Sequence, residues 1–326
     1  MGKVCLGIVG LGKWGHNQVR VFCGQPRTNV KYIHDTSREA VDRHLEQYPF
    51  LKAARSFEEI LEDPQVQALV IATPAATHYE LARRALEAGK DVLVEKPMTV
   101  DVAQAERLCE LSEQNGRLLQ VGHLLLFHPA VQFIRQMIDA GELGDIYYLY
   151  SQRVNLGVVR SDENALLSLA PHDVSLSNFL LGASPKQVQA SGGSYLQPGI
   201  EDVIFVTLTY PNGSIAHLHV SWLDPHKVRR LTIVGSRKMV VFDDMQTTEK
   251  VRLFDKGVSR LDYENFGELL SVRTGDILIP SVPNTEPLRL QAQHFLDCVR
   301  ERRRPLVDGR QGLEVVRVLE AAGQQL

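Results

Sequence analysis

The chain has 326 residues, with 36 Lys and Arg against 39 Asp and Glu and a formal net charge of −3. Its 44% hydrophobic and 23% charged residues are ordinary for a globular protein, which excludes a disordered chain and gives no electrostatic case for nucleic acid or an anionic membrane as a partner. At about 150 residues per domain, the length predicts two domains.

The chain enters a strand at once, without the cationic segment and long apolar stretch of a signal peptide or membrane span, so a soluble, cytoplasmic protein is expected. From Val4 to His123, short β-branched runs alternate with amphipathic helical stretches, the pattern of a parallel sheet covered by helices. Strands are predicted at 5–9, 30–34, 69–72, 92–95 and 118–121. Helices are predicted over 77–88, stopped by Gly89, and over 100–115, ended by Gly116.

Beyond Pro129 strands follow one another with few helices between them, at 146–153, 186–191, 203–210, 215–222, 230–235 and 239–243. The loop Tyr210-Pro211-Asn212-Gly213-Ser214 predicts an antiparallel hairpin, so this sheet is expected to be mostly antiparallel or mixed. The stretch 256–287 reads as loop with a short strand, and helices over 288–303 and 309–324 close the chain. The fold class is therefore α/β: a doubly wound parallel-sheet domain at 1–123, then an α+β domain at 124–326 with a large open sheet. Cys5, Cys23, Cys109 and Cys298 are scattered without metal-ligand spacing, which predicts reduced thiols and no metal site.

Gly10-Leu11-Gly12-Lys13-Trp14-Gly15 is a GxGxxG between the first strand and a helical run, the context a dinucleotide fingerprint requires. The first glycine allows the tight turn, the second lets a pyrophosphate approach the backbone, and the third allows close helix packing. Asp35 closes the second strand, where a carboxylate accepts the adenosine ribose hydroxyls and repels a 2′-phosphate, so NAD is favoured over NADP. Thr36, Ser37 and Arg38 follow; Ser37 and Arg38 could accommodate such a phosphate, or Arg38 could instead lie on the adenine face. Thr73-Pro74 borders the nicotinamide; Thr77 is either an N-cap boxed with Glu80 or, with His78, a cofactor neighbour. Glu95-Lys96-Pro97 ends the apolar run Val92-Leu93-Val94, which puts Lys96 in the crevice outside the strand ends. The candidate cofactor-binding set is Gly10, Gly12, Lys13, Trp14, Gly15, Asp35, Thr36, Arg38, Thr73, Pro74, His78, Glu95 and Lys96.

These motifs, continued through Phe127-His128-Pro129-Ala130, Gly144-Asp145-Ile146, Pro171-His172-Asp173 and Pro305-Leu306-Val307-Asp308-Gly309, resemble the Gfo/Idh/MocA family of nicotinamide-dependent sugar and cyclitol oxidoreductases. The resemblance implies a Rossmann domain and a second domain for substrate binding and oligomerisation, usually as homodimers or homotetramers. It also implies that Lys96 and His172 meet at the substrate, Lys96 stabilising an alkoxide and His172 serving as general base. Many members carry an aspartate four residues before that histidine; here it is Ser168, so His172 serves as base alone or relays its proton through Ser168, Asp173 or water. Asp173 reads instead as a first-turn acid of a helix opened by Pro171.

Within the family, the stretch 151–157 with Arg160, Glu163-Asn164 and Ala170-Pro171-His172-Asp173 looks most like the UDP-N-acetylglucosamine 3-dehydrogenases. That likeness implies a UDP-sugar substrate oxidised at C3 and a pyridoxal phosphate aminotransferase as the pathway partner, in lipid A biosynthesis. The candidate substrate-binding set is His123, Arg153, Asn155, Arg160, Asn164 and His172, the arginines for sugar and phosphates. The alternatives are a dehydrogenase of UDP-N-acetylglucosaminuronate or of a free sugar or cyclitol such as inositol, and a non-catalytic NAD-binding sensor. His217 and His219 share one side of a strand and read as subunit-interface residues.

Overall fold

The computed structural model describes residues 2–261 and 269–326. The chain divides into two units: residues up to Phe127 with Glu286–Glu320, and His128–Thr285 with Ala321–Leu326.

The first unit is built on six parallel strands: β1 (Val4–Val9), β2 (Thr28–His34), β3 (Lys52–Ala53), β4 (Ala68–Ile71), β5 (Asp91–Val94) and β6 (Leu119–Val121). Their order is β3-β2-β1-β4-β5-β6, so the winding reverses between β1 and β4. That reversal opens a crevice at the carboxyl ends of the strands, where doubly wound sheets bind ligands. Strands β1, β4 and β5 are buried along their whole length, as expected of strands covered on both faces.

Five helices alternate with these strands: α1 (Lys13–Cys23), α2 (Arg38–Gln47), α3 (Phe57–Glu62), α4 (His78–Glu87) and α5 (Val102–Gln114). Helix α5 starts where the Asp101 carboxylate accepts the Gln104 N–H at 2.8 Å, and Gly89 and Gly116, both at positive φ, end α4 and the turn after α5.

The second unit carries an eight-stranded sheet. In chain order it contains α6 (Pro129–Asp139), β7 (Ile146–Val154), α7 (Ala165–Leu181), β8 (Gln187–Gly193), β9 (Val203–Thr209), β10 (Ile215–Ser221), β11 (Val228–Gly235), β12 (Met239–Asp243), β13 (Val251–Leu261) and β14 (Leu269–Leu278). The order β14-β13-β12-β11-β7-β10-β9-β8 has one parallel pair, β7 with β10, and is otherwise antiparallel. The hairpin at Tyr210 closes as expected, its N–H donating to the Ser214 carbonyl at 2.9 Å. Alternation along β10 buries Ala216, Leu218 and Val220 and turns His217 and His219 the other way. Helix α7 packs on β7, β9 and β10. On the opposite face Phe205 stacks on His219 with ring centroids 4.4 Å apart, beside Tyr148 and Tyr150.

Two sequence expectations are corrected. In the stretch 256–287, residues 256–261 and 269–278 are strand, the end of β13 and all of β14, with 262–268 outside the described residues. Those strands expose Val258, Val272 and Ile277, so their apolar pattern is not that of a core strand. At the other boundary, α8 (Pro287–Glu301) and most of α9 (Gly309–Gly323) return to the first unit. Phe295 on α8 is fully buried edge-on against Phe22 of α1, centroids 6.5 Å apart, and one such side chain contributes about 1.5–3 kcal/mol. Among the described residues, no helix is long and apolar enough to cross a membrane.

Candidate functional site

Gly10, at φ +89°, makes the turn from β1 to α1, and a Cβ there would lie 2.6 Å from the Ala72 carbonyl. A Cβ on Gly15 would sit 1.9 Å from the Gly10 oxygen. Gly12 differs: as N-cap of α1 it has nothing within 4 Å and no side-chain cap. Two glycines are thus required by the protein's own packing, and the third leaves an open approach to unpaired helix N–H groups, the geometry that receives a pyrophosphate. Lys13 and Trp14 open the first turn of α1 and are both exposed.

Asp35 directly follows β2 with its carboxylate across this loop, one oxygen accepting the Leu11 N–H at 2.5 Å and the other the Ser37 N–H at 2.7 Å. An ionised carboxylate offers about four acceptor sites, so lone pairs remain for ribose hydroxyls. Thr36 is exposed, and Arg38, also exposed, forms an ion pair with Asp42 one turn on.

The ends of β4, β5 and β6 form the other side of the crevice. Thr73 and Pro74 follow β4, and the Thr77 hydroxyl lies 2.7 Å from the Thr73 hydroxyl and 2.8 Å from the Pro74 carbonyl. The capping box with Glu80 does not form. A 3₁₀ turn over Ala75–Thr77 leads into α4, its hydroxyl is used locally, and Glu80 pairs with Arg83. His78 is buried, with Nδ1 2.8 Å from the Pro97 carbonyl oxygen and Nε2 2.8 Å from the Thr73 carbonyl oxygen. Both ring nitrogens face the backbone. Burial foremost, with the Lys96 charge, holds the His78 pKa below its ordinary value, and the two carbonyls offset only part of that.

Glu95 is likewise turned inward. Its carboxyl accepts the Gln18 amide at 2.5 Å and the indole N–H of Trp14, and burial raises its pKa. A Cβ on Gly122 would come within 2.6 Å of this carboxyl. Gln18 and Gly122 were not singled out in the sequence, although Gln18 lies on the buried face of α1 with Gly15, Val19 and Phe22. Among residues 91–99 only Lys96 is not buried, and the Lys96–Pro97 bond is cis. His123, just past β6, is 1% exposed, and neither ring nitrogen has a hydrogen-bond partner among the described residues. Burial, reinforced by the Lys96 charge, lowers its pKa to about 3, which keeps the ring neutral.

In the second unit Pro171 lies inside α7 instead of opening it. The helix begins six residues earlier, where the Asn164 side chain accepts the Leu167 N–H at 3.2 Å and donates to Glu201 at 2.7 Å. Asn164 is therefore a cap, and Asp173 is in mid-helix. There it receives Arg153 through Nε at 2.8 Å and Nη2 at 3.1 Å, plus the Ser151 hydroxyl at 2.7 Å, all buried. The structure ties Arg153, expected at the substrate, to Asp173. Arg160 is in the loop before α7 and pairs with Asp162 and Glu163. Asn155 follows β7 and donates its backbone N–H to Ser221 at 3.2 Å. His172 is half-buried, one turn beyond Ser168 on α7.

The family model for an oxidoreductase with an NAD-binding Rossmann fold matches residues 4–123, and the model of the Gfo/Idh/MocA C-terminal domain matches 131–241. UDP-N-acetylglucosamine 3-dehydrogenase of Acidithiobacillus ferrooxidans is 28% identical over 98% of this chain and 95% of its own. scyllo-Inositol 2-dehydrogenase (NAD(+)) of Bacillus subtilis is 25% identical over 94% of this chain and 89% of its own. A solved structure of the Acidithiobacillus ferrooxidans enzyme superposes with a TM-score of 0.85, at 24% identity, over 100% of this chain and 98% of that one. With a glycine cradle open only at Gly12, the 3-2-1-4-5-6 strand order and matches over both units, the chain belongs to the Gfo/Idh/MocA family of oxidoreductases and binds NAD in its Rossmann unit.

Proposed function

We propose that the protein oxidises the C3 hydroxyl of UDP-N-acetylglucosamine to the 3-keto sugar. One observation carries this reading: at the carboxyl end of β5, Lys96 is the single residue of a buried run left accessible, beside the switch point of an NAD-binding sheet. Bound NAD supplies the hydride acceptor. Lys96 then holds the substrate oxygen and stabilises charge as it becomes an alkoxide, and His172 takes the proton. His123, neutral and with unpaired ring nitrogens, donates to or accepts from a sugar hydroxyl. Because Arg153 is tied to Asp173, the diphosphate falls to Arg160, whose exposed pair with Asp162 is weak enough to exchange for phosphate.

The relative that shares 28% identity over nearly the whole chain supports the sugar nucleotide, and the inositol dehydrogenase at 25% supports a cyclitol as second reading. UDP alone separates them. Competitive inhibition by UDP, and a product two hydrogens lighter at C3 when UDP-N-acetylglucosamine is incubated with protein and NAD, support the first. Failure of UDP to bind at millimolar concentration removes it. Lys96→Met is expected to lower turnover by about a hundredfold or more while leaving NAD binding intact, and unchanged turnover takes Lys96 out of the mechanism. Tight NAD binding without NADH formation across UDP-sugars and polyols would point to a sensor. The ketone product calls for an aminotransferase as the next enzyme, and the exposed Tyr148, Tyr150 and Phe205 support a homo-oligomer formed through that sheet face.

A further inference from the structure

Arg229 of β11 stands directly opposite Arg153 of β7 in their antiparallel register. Residues paired in this way share a face of the sheet, and Arg153 uses that face to reach Asp173 on α7. The alternation along β11 agrees. Leu231 and Ile233 are buried in the same row, while Arg230 turns the other way and pairs with Asp243 at 2.9 Å. The two facing arginines are held differently. Asp173 binds Arg153 through both carboxylate oxygens, whereas the Arg229 guanidinium makes no hydrogen bond or ion pair among the described residues.

The acids that act on Arg229 are already engaged. Asp173 serves Arg153 and Ser151, and Asp244 lies 3.5 Å from Lys250 and 3.7 Å from His128. Arg153, Arg229 and Lys250 therefore outnumber Asp173 and Asp244, and His128, its pKa lowered chiefly by burial, adds no charge near neutral pH. The surplus cation is Arg229. It stays accessible to solvent, yet its surroundings withdraw enough water to hold its pKa below the usual arginine value; the Arg153 charge is the second cause, and the two acids offset only part. A guanidinium so placed gains by pairing with an anion from outside.

We propose that Arg229 is an anion-binding residue of the second unit and takes one oxyanion of the substrate, a phosphate or a carboxylate, in a bidentate pair. For the identity of that anion the site rests on the reading of the substrate as a sugar nucleotide. The diphosphate of such a sugar carries two negative charges, and Arg160 supplies one cation. Asp173 is the residue after His172, so Arg229 stands one ion pair away from the proposed base. Its planar fork of donors matches a phosphate or the carboxylate of a uronate sugar equally, and experiment separates the two.

Full-length protein saturated with NAD, which fills the glycine cradle, is titrated calorimetrically with uridine, UDP, inorganic pyrophosphate and D-glucuronate. Arg229→Gln is expected to bind UDP and pyrophosphate at least about tenfold more weakly than the unaltered protein and uridine no differently, with Arg229→Lys recovering part of the loss. The anion is then the phosphate. Loss confined to glucuronate names the carboxylate instead. If Arg229→Gln binds every anion as the unaltered protein does, or the unaltered protein binds none at millimolar concentration, the anion site is overturned. Failure of UDP alone, with pyrophosphate or glucuronate still bound through Arg229, removes the sugar nucleotide and leaves the anion site standing.

A structural role is read separately. Because Arg153 repels Arg229, Arg229→Gln should leave the urea midpoint followed through Trp222 unchanged or raise it. A fallen midpoint with equal loss for uridine and the anions assigns Arg229 to the fold and overturns the anion site. Should Arg229→Gln fail to fold, Arg229→Lys, which keeps the charge and loses the fork, carries the same comparison.

Discussion

Asp173→Ala should destabilise the second unit far more than an ordinary substitution. The Asp173 side chain is 1% exposed and that of Arg153 10%, and the carboxylate accepts two guanidinium hydrogen bonds and the Ser151 hydroxyl. Truncating the acid strands a buried guanidinium, which costs about 3–5 kcal/mol in comparable pairs. The neighbourhood sharpens the effect. Arg229 lies opposite Arg153 in the β7–β11 register and acts on the same groups, so removing Asp173 leaves two like charges side by side. Arg153→Met strands the carboxylate instead, which can relieve itself by taking a proton, so its loss should be smaller. The double variant Arg153→Met with Asp173→Leu removes both charges and should recover much of the deficit, leaving a coupling energy of about 2 kcal/mol or more.

Urea unfolding measured through Trp222 provides the assay. The chain has two tryptophans, and Trp222 is 2% exposed in the second unit, so a Trp14→Phe background isolates that unit's signal. At about 2–4 °C per kcal/mol, the Asp173→Ala deficit corresponds to about 10 °C in Tm. Single variants within about 1 kcal/mol of the parent, or a double variant equal to the sum of the singles, would refute the account of Arg153 as a structural residue. The same variants address function. An Arg153 that served the substrate alone would show its loss in KM and leave the unfolding midpoint in place.

Two other outcomes are expected. Asp35→Ala should raise the KM for NAD about tenfold and that for NADP much less, since the lost carboxylate accepts ribose hydroxyls only where no 2′-phosphate stands; equal changes for both cofactors would show that Asp35 serves only the Leu11 and Ser37 N–H groups. His123 should make the protein acid-sensitive. Its folded pKa, about 3, lies below the ordinary 6.5, so the unfolded chain takes up the proton first. The stability it confers is whole above about pH 6.5 and is lost as pH falls toward about 3, by up to about 1.4 kcal/mol per pH unit. His123→Leu should flatten the urea midpoint against pH over that window, and parallel curves for the two proteins would assign the acid sensitivity elsewhere.

What could be read from the chain follows from how far each contact reaches. The glycine turn, Asp35, the strand end at Lys96 and the Tyr210 hairpin are local in sequence, and each is found where its pattern places it. Residues whose partners are remote are less legible. Arg153 and Asp173 are twenty positions apart and meet only because α7 packs on β7, and the Pro97 carbonyl that meets the His78 ring lies nineteen positions away. Pro171 illustrates the same limit, because a proline normally opens a helix but here the cap at Asn164 and the packed apolar face of α7 outweigh it.

These misreadings bear on the missing aspartate. Where relatives place an acid four residues before the histidine, this chain has Ser168, and Asp173 is no substitute. Adjacent residues on a helix point to different sides, and both oxygens of Asp173 are engaged by Arg153 and Ser151. For the proposed reaction, a proton taken by His172 therefore leaves through Ser168 or water, not through a carboxylate on α7. A serine hydroxyl passes a proton on without holding a charge, so the histidine's own pKa should govern the acid limb of the rate. Ser168→Asp is the direct comparison: by stabilising the imidazolium it should shift that limb toward higher pH, and an unmoved limb would place the proton acceptor somewhere other than His172.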